Sequence, residues 1–377
     1  MATTKTSARL EASLDERFMA RAVRMAHKGL GSTYPNPSVG AVVVRGSEVI
    51  GAAHSDPTGG PHAEVKALRQ AGAAAKGATL YVTLEPCCHH GRTGPCTGAI
   101  LESGVARVVI GLRDPARHAD GKGIRRLRRG GLVVTEGVLQ GACAEVHAHY
   151  VHHVQTGRPF VSLKIACSID GRIATPQGDS KWITGEASRA RGHLLRATHD
   201  AIMVGSATAI VDDPELTCRL PGLGGRSPIR IVADGRLRLP LTSKLVRDAQ
   251  KHPLWILTLP GGDGARRNAF EDCGAVLIDV EPGEGGMMDM RGALEQIAAR
   301  GVTRVLVEGG ARLAASLTRD RLVDRIEWFQ AAKLIGGDGY PAIAGLGIKH
   351  VDGAPSFVLR ETMRAGADLV SSYVRSV

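Results

Sequence analysis

Within thirty-five residues, His62 to Cys96, the chain reads His62-Ala63-Glu64, then Glu85-Pro86-Cys87, then Cys96. Any fold that uses these groups together must bring an imidazole, two thiols and a carboxylate to one point. His62 is expected in the first turn of a helix, Cys87 at a strand end after Pro86, and Cys96 at a helix start. Helix N-termini help to hold the negative charge of a thiolate. Three protein ligands leave zinc a fourth position for water, which then ionises near neutral pH. Glu64 in this pattern is a proton carrier and not a ligand. The competing reading, a helix-start histidine and two buried thiols, requires three coincidences at once. Cys88 is left out of the ligand set, because adjacent cysteines rarely face one tetrahedral metal together. His89 and His90 are expected in loop packing or substrate contact.

At 377 residues the chain is too long for one ordinary core, so two domains are expected. The seven cysteines are an odd number in a long chain, which argues for a reducing, cytoplasmic setting and for metal binding over disulfides. No apolar run approaches the roughly 18 residues of a membrane span, and Met1 to Ser7 lacks the apolar region of a secretory signal. The net charge of +11 raises a nucleic-acid reading, but aromatics are only 3%, leaving few platforms for base stacking. The dense basic run Lys122 to Arg129 reads as a solvated face in a Gly-bounded loop or helix. A phosphorylated small substrate explains a positive balance equally well.

Residues 1–14 are read as a mobile N-terminal extension, 15–156 as a first domain and 157–377 as a second. Phe18, Ala22, Met25 and Ala26 fall at helical spacing, with Ser13 and Asp15 as capping candidates. Val39 to Val44, Thr79 to Leu84, Arg107 to Gly111 and Leu132 to Thr135 read as strands, with helices from His62 to about Gln70 and from Cys96 to Gly104. That alternation implies a mostly parallel sheet with helices on both faces. His147, His149, His152 and His153 are expected on a helix that bridges the domains, more than as a second metal site. In the second half, strands are expected at Phe160 to Ile165, Ala201 to Val204, Ile229 to Val232, Leu254 to Leu257 and Arg304 to Glu308. A helix through Leu317 follows the last of them. Gly337-Asp338-Gly339-Tyr340-Pro341-Ala342 meets a dinucleotide fingerprint by letter only, lying late in the chain with no βαβ unit after it. Glu308-Gly309-Gly310 before a helix is the best phosphate site, at even odds with a simple tight turn.

Pro35-Asn36-Pro37-Ser38-Val39-Gly40, His62-Ala63-Glu64-Val65 and Glu85 to Cys96 resemble the deaminase half of the bifunctional riboflavin-biosynthesis deaminase/reductase family. Eight residues separate Cys87 from Cys96, where nucleoside-type deaminases have two. The insert carries His89, Gly91, Arg92 and Thr93, as in that family. Gly94 stands where the family usually has a second proline. Ser168 to Arg172, Gly178 to Thr184, Val211 to Pro214, Leu216 to Arg219 and Val307 to Gly310 resemble the reductase half, so the likeness covers nearly the whole chain.

The resemblance implies an α/β chain: a cytidine-deaminase-like three-layer N-terminal domain, then a dihydrofolate-reductase-like α/β C-terminal domain. It implies one Zn2+ per chain on His62, Cys87 and Cys96, with Glu64 catalytic. NADPH would meet Ala166, Trp182, Thr208, Asp212 and the turn Gly310, Ala311, Arg312, Leu313, Ala314, Ala315 and Ser316. The phosphorylated pyrimidine substrate would meet Asn36 and Arg92 in the first half. In the second it would meet Ser180, Arg196, Leu216, Arg219 and Glu308, with Lys164 a further candidate. From the residues alone, Asn36 is as well explained as a turn residue between prolines, and Arg196 and Arg219 as surface arginines. As phosphate clamps, the two arginines would make physical sense. The implied activity is deamination followed by reduction of the ribosyl group. Two rivals are a deaminase with a non-reducing second domain and a nucleic-acid-binding zinc protein. No nucleic-acid or membrane partner is expected, and a homo-oligomer is.

Overall fold

The computed structural model describes residues 2–91 and 94–376, with residues 2–12 as backbone only. The backbone divides into two compact units, Met1–Gly157 and Arg158–Val377.

The first unit has helices α1 (Ala2–Gly29), α2 (Ala63–Ala71), α3 (Cys96–Glu102), α4 (Lys122–Arg129), α5 (Gln140–Val146) and α6 (Ala148–Thr156). Its strands are β1 (Gly40–Arg45), β2 (Glu48–His54), β3 (Thr79–Val82), β4 (Arg107–Ile110) and β5 (Val133–Glu136), in the spatial order β2-β1-β3-β4-β5. Alternate residues of each strand supply alternate faces. Ala41, Val43, Leu80, Val82, Val108 and Ile110 pack under α2, α3 and α4, which contribute Ala67, Leu68, Ile100, Ile124 and Leu127. Val42, Val44, Tyr81 and Val109 pack on the other face with Phe18, Met19 and Ala22 of α1 and Cys143 of α5. The result is a three-layer sandwich whose central strands, covered on both sides, are continuous apolar runs.

Three sequence expectations change here. The sheet is not mostly parallel: β1 runs antiparallel to both β2 and β3, and only β3-β4-β5 is parallel. Helix α1 starts at Ala2, so it takes in the residues read as an extension and has no cap at Ser13 or Asp15. Asp15 instead accepts two guanidinium bonds from Arg107, at 2.9 and 2.6 Å, and one from Tyr81 Oη at 2.8 Å. The basic run is helix α4, with Ile124 and Leu127 buried and its arginines outward. Of the four clustered histidines, His147 joins α5 to α6 and is fully buried, while the other three lie on α6.

The second unit contains β6 (Phe160–Cys167), β7 (Arg172–Ala174), α7 (Glu186–Ala197), β8 (Ala201–Gly205), α8 (Ser206–Asp212), β9 (Ile229–Ala233), α9 (Lys244–Arg247) and β10 (Leu254–Thr258). It continues through α10 (Gly264–Asp272), β11 (Val276–Asp279), α11 (Met290–Ala299), β12 (Arg304–Glu308), α12 (Ala311–Arg319), β13 (Arg325–Gln330), β14 (Tyr340–Pro341), β15 (Phe357–Ala365) and β16 (Asp368–Arg375). Nine strands form one sheet in the order β11-β10-β9-β8-β12-β6-β13-β16-β15. The first seven in that order are parallel, and β16 and β15 close it as an antiparallel hairpin. The chain leaves β8 toward β9 on one side and leaves β12 toward β13 on the other. Adjacent strands that part in this way open a crevice at their carboxyl ends, where α/β sheets bind ligands. Gly337 to Ala342 is a loop entering the short β14, with no βαβ unit around it.

Candidate active sites

His62 is the residue before the first turn of α2, in extended conformation, and Cys96 is the first residue of α3. Both helices lie on the same face of the first sheet, and Cys87 sits on the loop that leads from β3 into α3. His62 Nδ1 lies 3.1 Å from Cys96 Sγ and 3.6 Å from Cys87 Sγ, and the three ligand atoms all fall within 4.8 Å of one another. Cys96 N donates to Cys87 Sγ at 3.3 Å, and Thr97 N donates to the Cys87 carbonyl at 3.1 Å. The start of α3 therefore gives one N–H to the Cys87 sulfur and one to its carbonyl. The hydrogen bond to Cys96 is the main reason the Cys87 thiol is lowered, while Cys96 is pushed up by holding the shared proton. A thiolate, a partly shielded imidazole and a second thiol within this radius fit a zinc ion in kind and number.

Glu64, in the first turn of α2, is 3% exposed. Burial, then the nearby Cys87 charge, raises its carboxyl to about 7. Among the described residues, nothing hydrogen-bonds its buried Oε2. A buried polar oxygen beside three convergent ligands is the position expected of a group that serves a metal-held water.

The other expected residues of the first half stand differently. Asn36 is an exposed turn residue whose backbone N donates to Thr33 O at 3.0 Å. Arg92 lies outside the described residues. Cys88 makes no part of the ligand group, and its carbonyl accepts from Arg126 at 3.3 Å. His89 packs edge-on against His118, ring centroids 4.5 Å apart.

In the second unit, Lys164 on β6 and Glu308 on β12 are register partners and share a face. Glu308 takes Arg196 Nε and Nη2 on its two oxygens at 2.8 and 2.9 Å, and Lys164 Nζ stands 3.8 Å away. Burial works against the Glu308 charge, but Arg196 and then Lys164 hold its carboxyl down at about 2. Arg196 Nη1 also donates to Thr217 O at 3.1 Å. The phosphate-clamp reading of Arg196 therefore changes: its fork is closed on a carboxylate, and it orients Glu308. Arg219 is exposed and pairs with Glu215 at 2.9 Å. Leu216 is buried with φ +57°, a left-handed conformation a leucine seldom adopts.

The turn Gly309-Gly310 leads from β12 into α12 and faces Thr208 in the first turn of α8. A Cβ on Gly310 would lie 3.2 Å from Thr208 Oγ1, and one on Gly309 would lie 3.2 Å from Thr208 Cγ2. Both glycines have positive φ, so their lack of a side chain serves the turn as well as the clearance. This crevice, at the parting of β8 and β12 and before the N–H groups of α12, fits a phosphate-bearing cofactor such as NADPH. Within the turn Gly310 to Ser316, Ala314 and Ala315 are buried and face the core, whereas Arg312 is exposed. Asp212 is exposed at the end of α8. Trp182 is 64% exposed, with the Arg189 guanidinium 4.7 Å from its ring centroid. Its carbonyl accepts from Lys333 Nζ at 2.7 Å. Ser180 is half-buried two residues earlier, and Ala166 is half-buried near the end of β6.

Sequence reasoning missed two acidic anchors. Asp170 accepts Ser168 Oγ at 2.6 Å and the backbone N of Ile335 and Gly336 at 3.2 and 2.7 Å. Asp368 accepts Gly185 N and Ser188 Oγ at 2.7 and 2.6 Å. Both join segments more than a hundred residues apart in sequence, and no local spacing announces such a pair.

Comparisons with known proteins agree with this division. Residues 12–112 match the cytidine and deoxycytidylate deaminase zinc-binding region, and residues 159–371 match the RibD C-terminal domain. The riboflavin biosynthesis protein RibD of Actinobacillus pleuropneumoniae is 38% identical over 96% of this chain and 95% of its own. The structure of Acinetobacter baumannii RibD superposes with a TM-score of 0.87 at 33% identity, covering 97% of this chain and 100% of that one. A Thermotoga maritima diaminohydroxyphosphoribosylaminopyrimidine deaminase/5-amino-6-(5-phosphoribosylamino)uracil reductase gives 0.84 at 32% identity, again covering 97% and 100%. The first unit is thus cytidine-deaminase-like and the second dihydrofolate-reductase-like, and the chain belongs to the RibD family of riboflavin biosynthesis proteins.

Proposed function

We infer that the chain carries out two consecutive steps of riboflavin synthesis. The first is hydrolytic deamination, dependent on zinc, of 2,5-diamino-6-(5-phosphoribosylamino)pyrimidin-4(3H)-one. The second is NADPH-dependent reduction of the ribosyl side chain to ribityl. The observation that carries the reading is the buried Glu64 oxygen beside the convergent His62, Cys87 and Cys96.

In this reading His62, Cys87 and Cys96 hold the metal. Zinc, when bound, supplies a Lewis acid that activates water for attack on the amino-bearing ring carbon. Glu64 Oε2 receives a proton from the attacking water and returns it to the departing amino nitrogen, which leaves as ammonia. A carboxyl near neutrality is suited to both halves of that exchange. Asn36 and Arg92 are assigned to substrate contact.

In the second unit Thr208, Asp212, Ala166, Trp182 and the Gly310 to Ser316 turn are assigned to NADPH, which supplies the reducing hydrogen. Ser180, Leu216, Arg219, Glu308 and Lys164 are assigned to the substrate, with Arg196 fixing the Glu308 carboxylate. The protein's task there is alignment of cofactor against sugar.

The reading places the protein in the cytoplasm, in keeping with seven unbridged cysteines. It includes a homo-oligomer and no nucleic-acid partner. No described helix is long and apolar enough to cross a membrane. The test is a coupled assay on the diaminopyrimidine substrate with zinc and NADPH, reading ammonia and NADPH absorbance together. Ammonia release followed by NADPH loss is expected. Ammonia without NADPH loss would leave a deaminase alone, and the absence of both signals would overturn the reading.

A further inference from the structure

Glu85 stands two residues before the ligand Cys87 and is 4% exposed. Among the described residues its carboxylate is met by main-chain donors and pairs with no cation. Oε2 accepts Asp114 N at 3.3 Å and Gly121 N at 2.9 Å. Oε1 accepts Gly123 N at 2.8 Å and Ile124 N at 3.2 Å. Gly121, Gly123 and Ile124 form the start of α4, the helix that carries the basic run, so one buried carboxylate closes its N-terminus. The fit is tight. A Cβ on Gly123 would lie 2.2 Å from Pro86 O and 3.1 Å from Glu85 Oε1. Further along the helix, Arg126 Nη1 reaches the Cys88 carbonyl at 3.3 Å. The segment 85–88 is therefore held at both ends by α4, with Cys87 between the two grips.

We propose that Glu85 is a positioning residue for the zinc site, fixing the Cys87 sulfur by docking its loop onto the N-terminus of α4. The role of the basic helix follows: its buried face and its first N–H groups serve the metal loop, and Arg126 adds a second tie. Groups that orient metal ligands from behind commonly contribute tenfold to a hundredfold in metal affinity or activity. The proposal rests on the deaminase reading of the site.

Glu85→Gln is the direct test. Each carboxylate oxygen faces two N–H groups, so the amide sets a donor against donors in either orientation. In the zinc-loaded full chain, release of zinc to a chelator should quicken about tenfold or more, with kcat for deamination falling by a similar factor and KM changing less than about twofold. In the cobalt-substituted protein the thiolate-to-cobalt absorption band should shift. Reduction of the deaminated compound by NADPH should stay at the wild-type rate, which reports an intact second half. Zinc release and kcat within about twofold of wild type would overturn the proposal. If Glu85→Gln loses both activities, Gly123→Ala decides, because it displaces α4 from Pro86 while keeping every charge. Faster zinc release in that variant supports the proposal, and wild-type release overturns it. A wild-type chain that holds no zinc and releases no ammonia would instead overturn the deaminase reading itself.

Discussion

Glu64 and Glu308 are both buried carboxylates, and their surroundings drive them in opposite directions. At Glu64 burial dominates, and the carboxyl rises to about 7. Glu64→Gln should keep zinc, measured by metal analysis, while ammonia release falls by about 10²–10⁴-fold, the usual worth of a general acid/base. Ammonia release at the wild-type rate would remove Glu64 from its assigned role. At Glu308, Arg196 and Lys164 prevail over burial. Glu308→Gln leaves two cations without their counter-charge, at a cost of about 3–5 kcal/mol in urea unfolding of the second unit. The first site was legible in sequence because His62 and Glu64 are two residues apart and zinc chemistry restricts ligands to a few letters. The Glu308 pair was not, because Arg196 reaches it across 112 residues of chain. Without its partner in view, Arg196 reads as a spare cation. Glu85 was hidden for another reason: its partners are main-chain N–H groups, which no sequence letter records.

Among the elements, α7 shows how remote strands set a helix. Its preceding residue Gly185 and its Ser188 both donate to Asp368 at the start of β16. Asp368→Ala removes that acceptor from the buried Ser188 and the exposed Gly185 and should lower stability of the second unit by about 1–3 kcal/mol. Urea midpoints would register the loss, while ammonia release should not change. The buried parallel strands were readable as apolar runs, since a strand covered on both faces has no polar positions to keep. The C-terminal hairpin was not readable in that way. Most of β15 is exposed, from Val358 through Thr362 without interruption, so neither a continuous apolar run nor a clean alternation marks it. Strand β2 escaped for a related reason, as Glu48, Gly51 and His54 break its apolar pattern.

Across the whole molecule, each unit holds a buried group whose native charge state gives way over its own acid range. In the first, His147 is fully buried beside Thr83, its Nε2 3.0 Å from Thr83 Oγ1, and burial lowers its imidazole to about 3. A histidine depressed on folding is neutral in the native state, so its contribution is whole above its ordinary value of 6.5 and fades as pH falls toward 3. In the second, Glu308 is likewise depressed, from 4.5 to about 2, so its contribution is whole above 4.5 and fades only below that. His147→Gln should therefore flatten the loss of stability between pH 6 and 4.5, and Glu308→Gln the loss below 4.5, both read as urea midpoints of the full chain. A wild-type slope in either variant would show that other groups govern. The proposed reading assigns each site to residues of one unit, so a chain ending at Gly157 should release ammonia without oxidising NADPH. Loss of both activities would show that the halves need each other to fold. One polypeptide with both activities also has a consequence for the cell: translation always delivers the two in equal number. Gene expression cannot rebalance them, but metal supply can. Under zinc starvation the same number of chains would carry a full complement of reductase and a shortfall of deaminase, and the sequence would stall at its first step.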